Sequence, residues 1–285
     1  THKRLSTHTI RAYKNDLLQF YNSNYNNVES YIEFLTKSNI KSNTLRRKIA
    51  SLKVFYSYLK FQGIIDENPF NQLRFQFRKE KILPKTISYD VLKSIYSYSE
   101  QKVIYSKSKY QKQKAERNLL IISLLLSTGI RISELCHIHF KDINFSNRTL
   151  HIIGKGKKER VLFLGDQTTF NLLKTYINKY YIRPNDYLFT GQNPLKALSE
   201  QSVRLILKKL VKKNNLSITI TPHMFRHSFA TMLLDKDVDI RYIQQILGHS
   251  SISVTQIYTH VSQSKQKEIL TLCNPISSIR SRPQK

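Results

Sequence analysis

Acidic residues are the scarcest class that matters here. The 285-residue chain has 19 Asp and Glu against 47 Lys and Arg, a formal net charge of +28 at pH 7. Such an excess repels itself in a compact state, so a polyanionic partner is the natural explanation. A coding bias toward Lys, Asn, Ile and Tyr accounts for some of the lysines but not for the shortage of acids. An anionic membrane fits less well, because the basic residues are spread through folded-looking segments instead of forming a terminal amphipathic anchor. Cysteine is nearly absent: Cys136 and Cys273 have neither the spacing of a zinc site nor the number for a disulfide framework. Cys136, beside Leu135, reads as a small core residue. No run of eighteen apolar residues occurs. The longest candidate, Leu119 to Leu126, is interrupted by Ser123 and is too short for a bilayer. Thr1-His2-Lys3-Arg4-Leu5-Ser6 is not followed by the apolar stretch of a signal peptide, so the expected location is cytoplasmic. With 40% hydrophobic and 23% charged residues, the chain reads as folded, and its length allows two packed domains.

From Ser6 to about Phe70 the pattern is helical. Ser6 is an expected N-cap, followed by Ile10, Tyr13, Leu17 and Phe20 at spacings of three and four. Val28, Tyr31, Ile32 and Leu35 mark a second helix. A third, capped by Ser42, would bury Leu45, Ile49, Leu52, Phe55, Tyr56 and Leu59. Arg11, Lys14, Lys41, Arg46, Arg47, Lys48, Lys53 and Lys60 lie off these stripes. They form either a solvated face or a surface laid against phosphates, and the sign bias favours DNA contact for Arg11, Lys14, Lys41, Arg46, Arg47 and Lys53. The charged stretch 71–86 breaks the period; the domains expected are 1–75, a linker at 76–86, 87–272, and a flexible tail at 273–285.

In the second domain, Val91, Leu92 and Ile95 begin a helix. The basic stretch Ser99–Ala115 is a surface loop or an extended helix end. The apolar helix around Leu119–Leu126 should stop at Gly129 in a left-handed cap. Leu150–Ile153 and Val161–Leu164 read as strands joined by a polar turn. Helices follow at Thr168–Lys179 and Ser202–Lys213, and Pro222 suits the first turn of another.

The chemistry-bearing residues come in separate motifs. In His223-Met224-Phe225-Arg226-His227, His223 and Arg226 share a helical face, while Phe225 and Phe229 turn to the core. Such a pair offers a phosphate a planar donor fork and a proton-exchanging group. Arg131 follows the Gly129 turn, with Glu134 three residues on. That acid either holds the guanidinium in position or is an ordinary helix-start ion pair. His249 and Tyr258 fall in ILGHSSISVT and TQIYTH. No carboxylate cluster able to hold magnesium accompanies the arginines.

Taken together, TGIRISEL, IIGKGKKERVLFL, TPHMFRHSFAT, ILGHS and TQIYTH resemble the tyrosine recombinase/integrase family, in layout most like its Xer-type and transposon-encoded members. The resemblance covers about residue 5 to about residue 265. It implies a mainly α fold with a small β-sheet, an N-terminal helical core-binding domain and an α+β catalytic domain. It places the family's catalytic residues on Arg131, Lys155, His223, Arg226, His249 and Tyr258, with Glu134 in support. It implies cleavage and rejoining of DNA through a 3′-phosphotyrosyl bond at Tyr258 and a Holliday junction, without cofactor, metal or ATP. Lys155 is expected to protonate the leaving 5′-oxygen, and His223 to accept a proton or orient. The partners implied are double-stranded DNA with inverted half-sites and further copies of the chain in a tetramer, with the helix over Ser262–Leu270 packing either on a neighbour or in cis. Relaxation of supercoils by a type IB topoisomerase and a non-catalytic DNA-binding accessory role are the alternatives.

Overall fold

The computed structural model describes residues 5–25, 27–73, 85–154, 159–180, 182–248 and 263–281. The chain divides into two compact units, Thr1–Ile82 and Leu83–Lys285. Among the described residues, no helix is long and apolar enough to cross a membrane.

The first unit is helical: α1 (Thr7–Tyr21), α2 (Val28–Lys37) and α3 (Ser42–Phe61). The Ser6 hydroxyl accepts from the Thr9 amide, as a cap should. Asn27 does the same for α2 through the Ser30 amide. Ser42, expected as the third cap, is instead the first helical residue, and Lys41 in the cap position offers no side-chain acceptor. Val28, Tyr31, Ile32 and Leu35 are buried against Ile49, Leu52 and Phe70. The stripe on α1 is less covered than its spacing suggests, for Ile10 is 52% exposed.

Two of the basic residues read as solvent-facing are turned inward. Arg47 donates to the buried Asp16 carboxylate and to the Ala12 carbonyl. Lys48 is buried beside Gln19 and Asp16. A lone carboxylate enclosed between α1 and α3 needs cationic partners, and α3 supplies them. Arg47 therefore braces α1 against α3 while keeping 40% of its side chain exposed. Arg11, Lys14, Lys41 and Lys53 are exposed, and Arg46 is half-buried.

The second unit packs α4 (Tyr89–Ile104), α5 (Lys109–Thr128), α6 (Ile132–Cys136), α7 (Gln167–Tyr180), α8 (Glu200–Lys213), α9 (Pro222–Leu234) and α10 (Ile240–Leu247) around one core. The stretch Ser99–Ala115 is neither a plain loop nor one helix end. It finishes α4, turns, and starts α5, whose cap is the Ser108 hydroxyl. From Leu119 to Thr128 every side chain of α5 is buried. The apolar run is thus a core helix with no solvated face. Cys136 lies in the same core, and burial pushes its thiol up to about 12.

The strands form an antiparallel meander, β1 (Ile143–Asn144), β2 (Thr149–Ile153) and β3 (Glu159–Phe163). Leu150 pairs with Leu162 and Ile152 with Arg160, so these four share the face turned to the core. After β3, Gly165 lies so close to the Leu270 carbonyl that a β-carbon would overlap it.

One C-terminal expectation is corrected. The tail read as flexible, 273–285, contains α12 (Pro275–Ser281), which packs on α4, α5 and α9. Ile276 and Ile279 are fully buried there. Asn274 donates to the carbonyls of Ser127 and Leu270. Arg280 donates to Asp166 at 2.6 Å and to the Tyr96 hydroxyl. Two isoleucines three residues apart are one turn of an apolar stripe, enough once an arginine and a carboxylate neutralise each other beside it. α11 (Gln263–Leu272), the segment weighed for packing on a neighbour, buries Ile269 and Leu270 within its own chain.

Candidate active site

The site assembles where α5, α6, α9 and α10 end or begin. Gly129 caps α5 with φ +60°, a conformation that glycine adopts without strain. This reversal puts Arg131 at the N-cap of α6. The Arg131 amide donates to Glu134 Oε2 at 3.0 Å, and Nη1 donates to Oε1 at 2.8 Å. The remaining arm, Nη2, donates to the Gly248 carbonyl at 3.0 Å.

Arg226 comes from α9, which starts with Thr221 as cap and Pro222 in its first turn. Phe225 and Phe229 are buried, as their spacing requires. Arg226 is itself only 6% exposed. Its Nη1 donates to the Gly129 carbonyl at 2.9 Å and its Nη2 to the Leu247 carbonyl at 2.5 Å. Burial, then the charge of Arg131, lowers its pKa to about 9, which leaves it protonated at neutral pH. The two guanidinium groups therefore meet on consecutive carbonyls, Leu247 and Gly248, at the C-terminal end of α10.

Glu134 has 3% of its side chain exposed. Burial alone would raise its pKa. Hydrogen bonds and charge from Arg160 and Arg131 outweigh that, so its carboxyl sits below the usual range. The helix-start pair read from sequence is thus a buried one with a third member. Arg160, on β3, was missed. Its signal was present in the alternation: an arginine on the same strand face as Leu162 points inward and needs a carboxylate.

His223 and His227 are exposed on α9. Burial, followed by His223 and then Arg226, lowers the pKa of His227. The structure thus brings together Arg131, Glu134 and Arg226, with His223 one turn from Arg226. Lys155, His249 and Tyr258 lie outside the described residues. Gly154 and Glu159 bracket the first, and Gly248 precedes the second.

Arg131, Arg160 and Arg226 beside the single carboxylate Glu134 give +3 − 1 = +2, a local charge suited to an oxyanion such as a phosphate. The comparisons agree. A family described as "Phage integrase family" matches residues 85–265, and "Phage integrase, N-terminal SAM-like domain" matches residues 1–63. A "Tyrosine recombinase" of Agathobacter rectalis is 47% identical over 286 residues, covering 96% of this chain and 92% of its own. A "Tyrosine recombinase XerC" of Thermodesulfovibrio yellowstonii is 33% identical over 287 residues, covering 95% and 92%. The solved structure of XerH site-specific recombinase bound to difH substrate, a pre-cleavage complex, is 25% identical. It superposes with a TM-score of 0.66 over 91% of this chain and 78% of that one. The chain belongs to the tyrosine recombinase (phage integrase) family, and its general chemistry is cleavage and rejoining of DNA through a phosphotyrosyl intermediate.

Proposed function

We propose that this chain is a site-specific recombinase that exchanges strands between two duplexes through a Holliday junction, in integration and excision, transposition or dimer resolution. The observation that carries the reading is the convergence of Arg131 and Arg226 on the adjacent carbonyls of Gly248 and Leu247. Two planar donor forks held this way suit the non-bridging oxygens of one phosphodiester, whose negative charge grows in the pentacoordinate transition state.

In this scheme the Tyr258 hydroxyl oxygen attacks the scissile phosphorus and the bond to the 5′-oxygen breaks. His223 accepts or orients the phenol proton, His249 donates to the phosphate, and Lys155 gives a proton to the departing 5′-oxygen, which leaves as a hydroxyl. The phosphotyrosyl bond conserves the energy of the broken one, so the reverse attack by a 5′-hydroxyl reseals DNA without ATP. Exchange between two duplexes uses four active sites in pairs, which implies a tetramer on inverted half-sites. Arg11, Lys14, Lys41, Arg46, Arg47 and Lys53 are the proposed phosphate contacts of the first unit.

The test uses a pool of nicked duplexes of random sequence, from which protein–DNA adducts stable to detergent are recovered and sequenced. The intact chain should yield adducts enriched in an inverted repeat, and Tyr258→Phe should bind DNA but yield none. Adducts that persist in Tyr258→Phe would remove Tyr258 from its role. Adducts without resolution of Holliday junctions built from the enriched sequence would favour DNA relaxation over recombination.

A further inference from the structure

Arg160 belongs to neither of the motifs that supply Arg131 and Arg226, yet it makes a fuller contact with Glu134 than Arg131 does. Its Nη1 donates to Glu134 Oε1 at 2.8 Å and its Nη2 to Oε2 at 2.7 Å. Together with the Arg131 amide and Arg131 Nη1, each carboxylate oxygen accepts two hydrogen bonds. A carboxylate so saturated cannot rotate without losing several bonds at once.

The surroundings of Arg160 fix it equally. Its side chain is 15% exposed. A β-carbon on Gly248 would come within 2.9 Å of Arg160 Cδ and 3.2 Å of Nε. Gly248 has φ +65°, so both its conformation and the arginine beneath it call for glycine. Arg160 Nε is buried with no partner among the described residues. Both arms of Arg160 thus end on one carboxylate that offsets its charge, whereas Arg226 ends only on neutral carbonyls and keeps its charge for a phosphate.

We infer that Arg160 is a positioning residue of the recombinase site: it clamps Glu134 from the strand side, and Glu134 in turn fixes Arg131 in the orientation a phosphate requires. This rests on the function proposed above. An Arg131–Glu134 pair three residues apart would be one partly exposed ion pair, free to sample several rotamers. The clamp from β3 converts it into a fixed donor before DNA arrives. The same arginine ties the pocket to β3, which begins at Glu159.

The test compares the intact chain with Arg160→Met, Arg160→Lys, Glu134→Gln and the Arg160→Met/Glu134→Gln double variant. Single-turnover adduct formation is measured on the nicked duplex pool, with DNA affinity by mobility shift at fixed salt. Arg160→Met should slow adduct formation by about a hundredfold, the scale of a misplaced catalytic group, with affinity within about threefold, because Arg160 carries no phosphate contact. Arg160→Lys keeps the charge but cannot span both oxygens, and should lose an intermediate amount. In the Glu134→Gln background, Arg160→Met should cost less than about threefold, since residues acting through one another are non-additive. Full multiplication of the two effects, or unaltered adduct formation in Arg160→Met, overturns the inference.

If the intact chain forms no adducts, the proposed function fails, and melting against pH still decides the clamp. The Glu134 carboxyl titrates below its usual range when folded. Its stabilisation is therefore present above the unfolded value and is lost as pH falls through the folded one. The melting temperatures of the intact chain and Arg160→Met should differ at neutral pH and converge in acid. A difference constant with pH overturns the clamp.

Discussion

Gly129 and Phe229 are packed so tightly that a β-carbon on the glycine would lie 2.5 Å from Cδ1 of the ring and 2.8 Å from Cδ2 of Leu247. The glycine is also in the left-handed region, and its carbonyl receives Arg226. One residue thus closes α5, seats α9 and orients the peptide that leads to Arg131. Gly129→Ala should cost about 2–4 kcal/mol, from backbone strain and overpacking together. Urea denaturation should show the midpoint falling with little change in slope.

Arg226→Lys should keep the charge and lose the fork. The carbonyls of Gly129 and Leu247 lose their donors, and a buried ammonium cannot reach both. Adduct formation should fall about a hundredfold to a thousandfold, with a melting temperature lower than that of the intact chain. Equal rates for the two chains would argue that Arg226 does not contact the reacting phosphate.

Asp166 gives a pH prediction. Burial alone would raise its pKa, but the Thr169 amide and Arg280 outweigh this and leave it lowered. A carboxyl with a depressed folded pKa stabilises above its unfolded value, about 3.9, and loses that contribution as pH falls below it. Arg280→Ala should cost about 3 kcal/mol at neutral pH, since it strands a buried carboxylate. The deficit should shrink in acid, as read from melting temperature against pH.

Asp16 in the first unit is a comparable case without a catalytic role. It is buried and faces Arg47 and Lys48. Asp16→Ala should leave two cations at the α1–α3 contact without their carboxylate, destabilising that unit by about 3 kcal/mol. Hydrogen exchange should report faster opening in α1–α3 and little change in α5.

The local structure around Arg131 and at the start of α9 was legible where local chemistry dictates it. A glycine after an apolar helix foretold the turn before Arg131, and Pro222 foretold the start of α9. Phe225 and Phe229 foretold which face of α9 is buried, but not that Arg226 is buried with them while His223 stays exposed. Contacts between distant segments were illegible. Nothing local joins Arg160 to Glu134, or Arg280 to Asp166 across more than a hundred positions. The pairing of Arg47 with Asp16 was likewise hidden, because the two sit on different helices. α12 looked like a tail because a seven-residue helix has too few apolar positions to show a period.

The seat of α12 has a consequence for synthesis. Its isoleucines fill the space against α4, α5 and α9, elements made long before it. Until Pro275 to Ser281 clears the ribosome, that apolar seam stays open to water and to chaperones. A nascent chain therefore completes the core of this unit only after its arginine motifs have already emerged.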